Sequence, residues 1–204
     1  MEKVSVSIPG YRSYEYLLIV KPHEDLYNRI KAIKQEFAEK YKARGAAHTK
    51  PHIALVSFTG WGMMEEKMIQ RLQVIAMGIA PFKIELSNFG SSPSHSIYIN
   101  VSTKVPLQNL VKELKQAQRV LKTNSETKAH FIDETHITIC RKLKPWQYEK
   151  GWLEYAHRHF TGRFIADSML LLKRTAGEKK GYEIVKRFDF MNLPVATKQG
   201  DLFG

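Results

Sequence analysis

Two short stretches decide the reading of this chain: Pro51-His52-Ile53-Ala54-Leu55 and Thr135-His136-Ile137-Thr138-Ile139. Side chains alternate between the two faces of a β-strand. In extended backbone His52 and Ala54 therefore share one face, and Ile53 and Leu55 the other. The same alternation sets His136 and Thr138 against Ile137 and Ile139. Each stretch predicts a strand that buries its aliphatic side and turns an imidazole the opposite way. A single histidine of this kind is most simply a residue on the wet face of a sheet. Two near-copies in matching places of a two-part chain point to a shared purpose. If the parts are related by a pseudo-twofold axis, the equivalent strands face one central cleft.

The flanking sequence supports two parts. Residues 14–22 (YEYLLIVKP) are apolar and β-prone and stop at Pro22, which predicts a strand. Residues 23–43 carry Leu26, Ile30, Ile33 and Phe37 at helical spacing, and residues 45–50 read as a loop. The first histidine strand is predicted over 51–58, followed by a helix over 63–78 and strands over 82–89 and 96–101. The second part echoes the first, with a helix over 106–121, the second histidine strand over 135–143 and a helix over 146–160. Pro145 stands near the first position of that helix, where proline is tolerated. Strands over 164–174 and 182–190 close the pattern. Mixed strands and helices with hairpins argue α+β: two pseudo-symmetric lobes of antiparallel sheet with flanking helices around a central cleft. Residues 1–190 read as one bilobal domain and 191–204 as a tail.

Bulk composition narrows the class. With 204 residues and 43% hydrophobic content, the chain can bury a proper core. No apolar run of about 18 residues appears, and the first residues lack the apolar core of a secretory signal. One cysteine, Cys140, can form no internal disulfide and no multi-cysteine zinc site. These features predict a cytoplasmic protein, off the membrane and monomeric. The 32 Lys+Arg against 20 Asp+Glu give a net charge of +12, a field that attracts phosphates and nucleic acid. A solvated basic surface accounts for the same number, so charge alone selects no activity.

The paired stretches resemble the motifs of the 2H phosphoesterase superfamily, in particular its 2′-5′ RNA ligase-like (LigT-like) proteins. That family carries two copies of His-x-Thr/Ser-x with x usually apolar. His52-Ile53-Ala54-Leu55 resembles the first copy and His136-Ile137-Thr138-Ile139 the second. Gly181-Tyr182-Glu183-Ile184-Val185-Lys186-Arg187-Phe188 resembles the closing strand. The resemblance implies a metal-independent, cofactor-free phosphoesterase acting on cyclic or 2′-5′ phosphodiesters of RNA or small nucleotides, with His52 and His136 as acid and base. It leaves open which histidine plays which role, and hydrolysis against ligation. Thr138 is then a phosphate clamp. A basic residue near Lys173-Arg174 lines the cleft, with Arg174 the candidate, and Tyr182 flanks a base. One position departs from the pattern. Ala54 stands where the family usually has a hydroxyl, and alanine cannot donate a hydrogen bond to phosphate. A backbone N–H, Lys50 or His48 is then left to serve that part of the substrate site. The departure also keeps a second class in play: a non-catalytic RNA or nucleotide binder that retains the cleft.

The chemistry suits these residue types. Opening a cyclic phosphodiester takes a proton from water and gives one to the leaving ribose oxygen. Histidine does both near neutrality because its ordinary pKa is about 6.5. The equatorial oxygens gain charge, and preorganised donors such as a threonine hydroxyl stabilise it.

His48 and His52 are spaced i, i+4, but Pro51 argues against the helix on which that spacing binds metal, so no metal site is expected. The final residues contain Gln199, Leu202 and Phe203, which resemble the short peptide with which bacterial replication proteins dock on the sliding clamp. A terminal peptide of that kind offers two apolar anchors to a pocket. A plain polar tail is the simpler account.

Overall fold

The computed structural model describes residues 12–121, 128–178 and 181–194. Its strands are β1 (Ser13–Val20), β2 (Ile53–Trp61), β3 (Phe82–Ser92), β4 (Ser96–Val101), β5 (His130–Phe131), β6 (His136–Cys140), β7 (Thr161–Ala166), β8 (Ser168–Thr175) and β9 (Glu183–Asp189). Its helices are α1 (Glu24–Lys40), α2 (Arg44–His48), α3 (Glu65–Gly78), α4 (Lys104–Leu114) and α5 (Pro145–Tyr155).

All strand pairs are antiparallel, and they order as β7-β3-β4-β6-β2-β1-β8-β9, with β5 beside β2. The path divides into two four-stranded halves. Between them β2 and β6 share a single ladder pair, Ile53 with Ile137. Along the chain β1-α1-β2-α3 runs strand, helix, histidine strand, helix, and β4-α4-β6-α5 repeats that order, as the echo in the sequence predicts.

The halves of the sheet are not simply the halves of the chain. The predicted single strand over 164–174 is two strands, broken at Asp167. β7 pairs with β3 at one end of the path, while β8 pairs with β1 and β9 at the other. The chain therefore returns to the first half for its last two strands. Asp167 anchors the corner: its carbonyl accepts from the Phe190 N–H (2.8 Å), and its carboxylate from Ser168 (2.8 Å) and Arg187 (3.3 Å). The predicted loop over 45–50 holds the short helix α2, and β5 lies where no strand was expected.

Helices cover one side of the sheet. α1 packs on β6 and β7, α5 on β4, α3 on β9, and α4 on α3. Leu26, Ile30, Ile33 and Phe37 of α1 are buried as their spacing predicts. Glu24 and Asp25 in its first turn and Lys40 in its last complement the helix dipole. α5 begins at Pro145 and lies close against α1: a Cβ built on Gly151 would stand 2.9 Å from the Phe37 ring, so this contact requires glycine. The buried side chains of both halves form one continuous core.

Candidate active site

The site grows from the joint between the halves. Ile53, Leu55, Ile137 and Ile139 are fully buried in the helix-covered core, while His52, Ala54, His136 and Thr138 are half-buried on the other face. The Ile53–Ile137 pair fixes the register. One step either way places His52 opposite Thr138 and Ala54 opposite His136. The two histidines thus lie on a diagonal of one four-residue patch, with Ala54 and Thr138 on the other diagonal. Diagonal neighbours across antiparallel strands are separated by about 7–8 Å.

Each motif strand carries a β-bulge at the same place. β1 pairs Ile19 with Ala54 and Leu18 with Val56, so Leu55 is the extra residue of β2. β4 pairs Tyr98 with Thr138 and Ile97 with Cys140, so Ile139 is the extra residue of β6. Bulges twist a strand and re-aim its side chains, and they occur often beside functional sites. The fourth residue of each His-x-x-x stretch is therefore the bulged one. The carbonyl of Leu55 accepts from the Ile132 N–H (2.9 Å), and that of Ile139 from the Lys34 ammonium (2.8 Å).

The imidazoles are held in related ways. His52 Nδ1 is 2.7 Å from the carbonyl oxygen of Lys50. Nδ1–H is the donor in that contact, which leaves Nε2 available for proton exchange. The backbone of Glu134, again two residues upstream, bonds to His136. The Tyr98 ring stacks on His136 with centroids 4.3 Å apart, and its hydroxyl donates to the Ser91 carbonyl (3.1 Å). Burial is the main cause that lowers both histidine pKa values below 6.5. The backbone hydrogen bonds oppose the shift, Lys34 and Arg141 add to it at His52, and Glu134 opposes it at His136.

The other expected residues are placed less closely. Lys50 is exposed, and the link it makes to His52 is through its backbone. Arg174 sits along the sheet from the histidine patch. Arg174 pairs with Glu15, four residues along β1 from the Ile19 that faces Ala54. At about 3.3 Å per residue that is roughly 13 Å. Nor is Arg174 an unengaged cation: its Nε donates to Glu15 Oε2 (2.7 Å), and its guanidinium lies 4.6 Å from the centroid of the Tyr182 ring. That contact holds the Glu15 carboxyl below the usual range and raises Arg174.

Three residues near the patch were not anticipated. Tyr98 faces Thr138 from β4. Lys34 lies beneath β6. Arg141, just past β6, is exposed, forms no ion pair among the described residues, and contributes to lowering both His52 and Tyr182. Lys34 had a signal, since it falls between Ile30 and Phe37 on the apolar face of α1. Tyr98 and Arg141 had none, because cross-strand register selects them. Among the described residues no cluster of three His, Cys, Asp or Glu side chains forms a metal site, and no helix is long and apolar enough to cross a membrane. Gln199, Leu202 and Phe203 lie outside the described residues. The pocket of about 620 Å³ beside Arg71, Lys115 and Arg119 contains neither histidine.

This fold, with two histidine strands meeting at its centre, is that of the 2H phosphoesterases. The sequence model of the 2′-5′ RNA ligase superfamily matches residues 22–178, and the chain belongs to that superfamily. No curated protein matches it in sequence. Among solved structures it is similar to E. coli LigT complexed with 3′-AMP (16% identity, TM-score 0.60, covering 88% of this chain and 98% of LigT). The NADP+ complex of LigT gives 16% identity and a TM-score of 0.59 over the same shares. A crystal structure described as a phosphoesterase gives 15% and 0.58, covering 86% of this chain and 97% of the other. Likeness at that identity concerns the fold.

Proposed function

We infer that this chain is a metal-independent phosphodiesterase of RNA ends or small nucleotides, with His52 and His136 as the acid–base pair. The observation that carries the reading is the single Ile53–Ile137 ladder pair, which sets both imidazoles on one face at a diagonal. On a 2′,3′-cyclic phosphate, one neutral imidazole accepts a proton from water as the water oxygen bonds to phosphorus. The opposite P–O bond to ribose breaks, and the leaving oxygen takes its proton from the second imidazole, which is protonated. Thr138 donates its hydroxyl to an equatorial oxygen, and the exposed Arg141 guanidinium draws the anion in. Arg174 and Tyr182 serve the part of the substrate farthest from phosphorus. The LigT complexes with 3′-AMP, ATP and phosphate support a phosphate-bearing adenine ligand on this fold.

Acid–base help of this kind is worth about 10² to 10⁴ in rate. The test is a panel of 2′,3′-cyclic nucleotides, 2′-5′-linked oligonucleotides and ADP-ribose cyclic phosphate, run with EDTA. Wild type cleaves at least one member, and H52A and H136A each lose activity by that factor. Equal turnover by both variants and wild type defeats the assignment. Ala54 favours one second reading, a nucleotide or RNA binder without turnover. That protein binds RNA with steep salt dependence and releases no product.

A further inference from the structure

Lys34 projects from the apolar face of α1 and is 1% exposed. Among the described residues it meets no carboxylate. Its Nζ instead donates to the carbonyl oxygens of Thr138 (2.6 Å) and Ile139 (2.8 Å). Burying an unpaired ammonium is costly, and a methionine or leucine would fill the same core position without that cost. The two acceptors belong to the bulge of the second motif strand, where Ile139 has no partner on β4. In the first motif strand the corresponding carbonyl, that of Leu55, is held by a backbone N–H. One bulge is thus pinned by the chain itself and the other by an ionisable side chain.

We propose that Lys34 is a positioning residue for the histidine patch: its ammonium pins the peptide units of Thr138 and Ile139, fixing the aim of the Thr138 hydroxyl and His136, and sets a positive charge behind His52. This rests on the phosphoesterase reading for its effect on rate, but not for its effect on geometry. Fixing both carbonyls of a bulge removes the freedom by which its first side chain changes direction. The charge has a separate effect. His52 feels Lys34 and Arg141 as cations, against the Lys50 carbonyl that accepts its Nδ1–H. Lys34 in turn faces Cys140 and Arg141 at the end of β6, and its pKa is pushed down by burial to about 8. It therefore carries its proton at neutral pH and gives it up in mildly basic solution.

The experiment is a pH titration by NMR of the histidine side chains and the β6 amides, on wild type, K34M, K34R and R141A. The His52 signals are assigned with H52Q. In wild type the Thr138 and Ile139 amides show an inflection near pH 8, as Lys34 titrates. In K34M the His52 midpoint moves up and the Thr138 and His136 amides shift. K34R keeps the His52 midpoint low, and R141A raises it without moving the Thr138 amide. With a 2′,3′-cyclic nucleotide, K34M lowers kcat about tenfold with little change in KM, and K34R recovers part of it. If wild type cleaves none of the substrates, the phosphoesterase reading fails while the titration still decides on Lys34. A folded K34M with His52, His136 and Thr138 signals as in wild type overturns the proposal. If K34M does not fold, K34Q is titrated in its place, and His52, His136 and Thr138 signals as in wild type overturn it.

Discussion

Restoring the missing hydroxyl should raise activity. Ala54 lies opposite His136 as Thr138 lies opposite His52, so a serine at position 54 offers its hydroxyl to the phosphate from the mirror corner of the patch. Position 54 is half-buried beside Ile19, and serine adds only one atom there, so the fold should tolerate it. A hydrogen bond to a charged group contributes about 1.5–3 kcal/mol. At about 1.4 kcal/mol per tenfold, A54S should increase kcat/KM roughly 10- to 100-fold, and T138A should lower it by a similar factor. The two positions touch the same group, so their effects will couple rather than add. The exchanged variant, A54S with T138A, should return close to wild type, because it keeps one clamp and moves it across the pair. Steady-state hydrolysis of the best cyclic nucleotide found for wild type measures all four proteins, with circular dichroism to establish folding. The reasoning is refuted if folded A54S and folded T138A both match wild type in kcat/KM.

Other perturbations read different parts of the structure. Both histidines have pKa values lowered by burial, so the acid and base limbs of kcat/KM against pH should both fall below 6.5, with activity declining above it; an optimum above pH 8 would contradict this. The same shifts bear on stability: the folded state binds fewer protons than the unfolded chain, so their contribution is complete above pH 6.5 and is lost as pH falls through the folded values. Urea melts at pH 7.5 and pH 5 compared between wild type and H52Q/H136Q measure that loss. Ile53 is fully buried at the joint, and I53A should cost about 2–5 kcal/mol in chemical denaturation. Arg174 is held by Glu15 away from the histidines, so R174A should raise KM several-fold while leaving kcat near wild type in the same hydrolysis assay; a collapse of kcat would place Arg174 at phosphorus.

Much of this was legible because alternation and helical spacing are local properties. His52 and His136 stand out against Ile53, Leu55, Ile137 and Ile139 by the period of a strand, and the structure buries those four and leaves the histidines half-buried on the other face. The repeat of strand, helix and histidine strand was visible for the same reason. What local patterns cannot carry is partnership. Residues 164–174 look like one strand because their apolar character hardly pauses at Asp167, yet the chain turns a corner there and changes neighbours. Arg174 looked like a residue of the cleft, and only its register with Glu15 shows how far along the sheet it sits. Arg141 lies in an unremarkable loop sequence and owes its place to the end of β6.

The corner at Asp167 also sets an order of assembly. Residues 82–166 contain β3, β4, β6 and β7 and need no other strand to complete their half. The other half begins with β1 and β2 but must wait for β8 and β9, which are synthesised after residue 167. Until then β1 presents an open edge of unpaired N–H and C=O groups, a template for pairing with another chain. A polypeptide stopped short of residue 168 would retain both motif histidines and carry that adhesive edge, so synthesis through β8 is what covers β1.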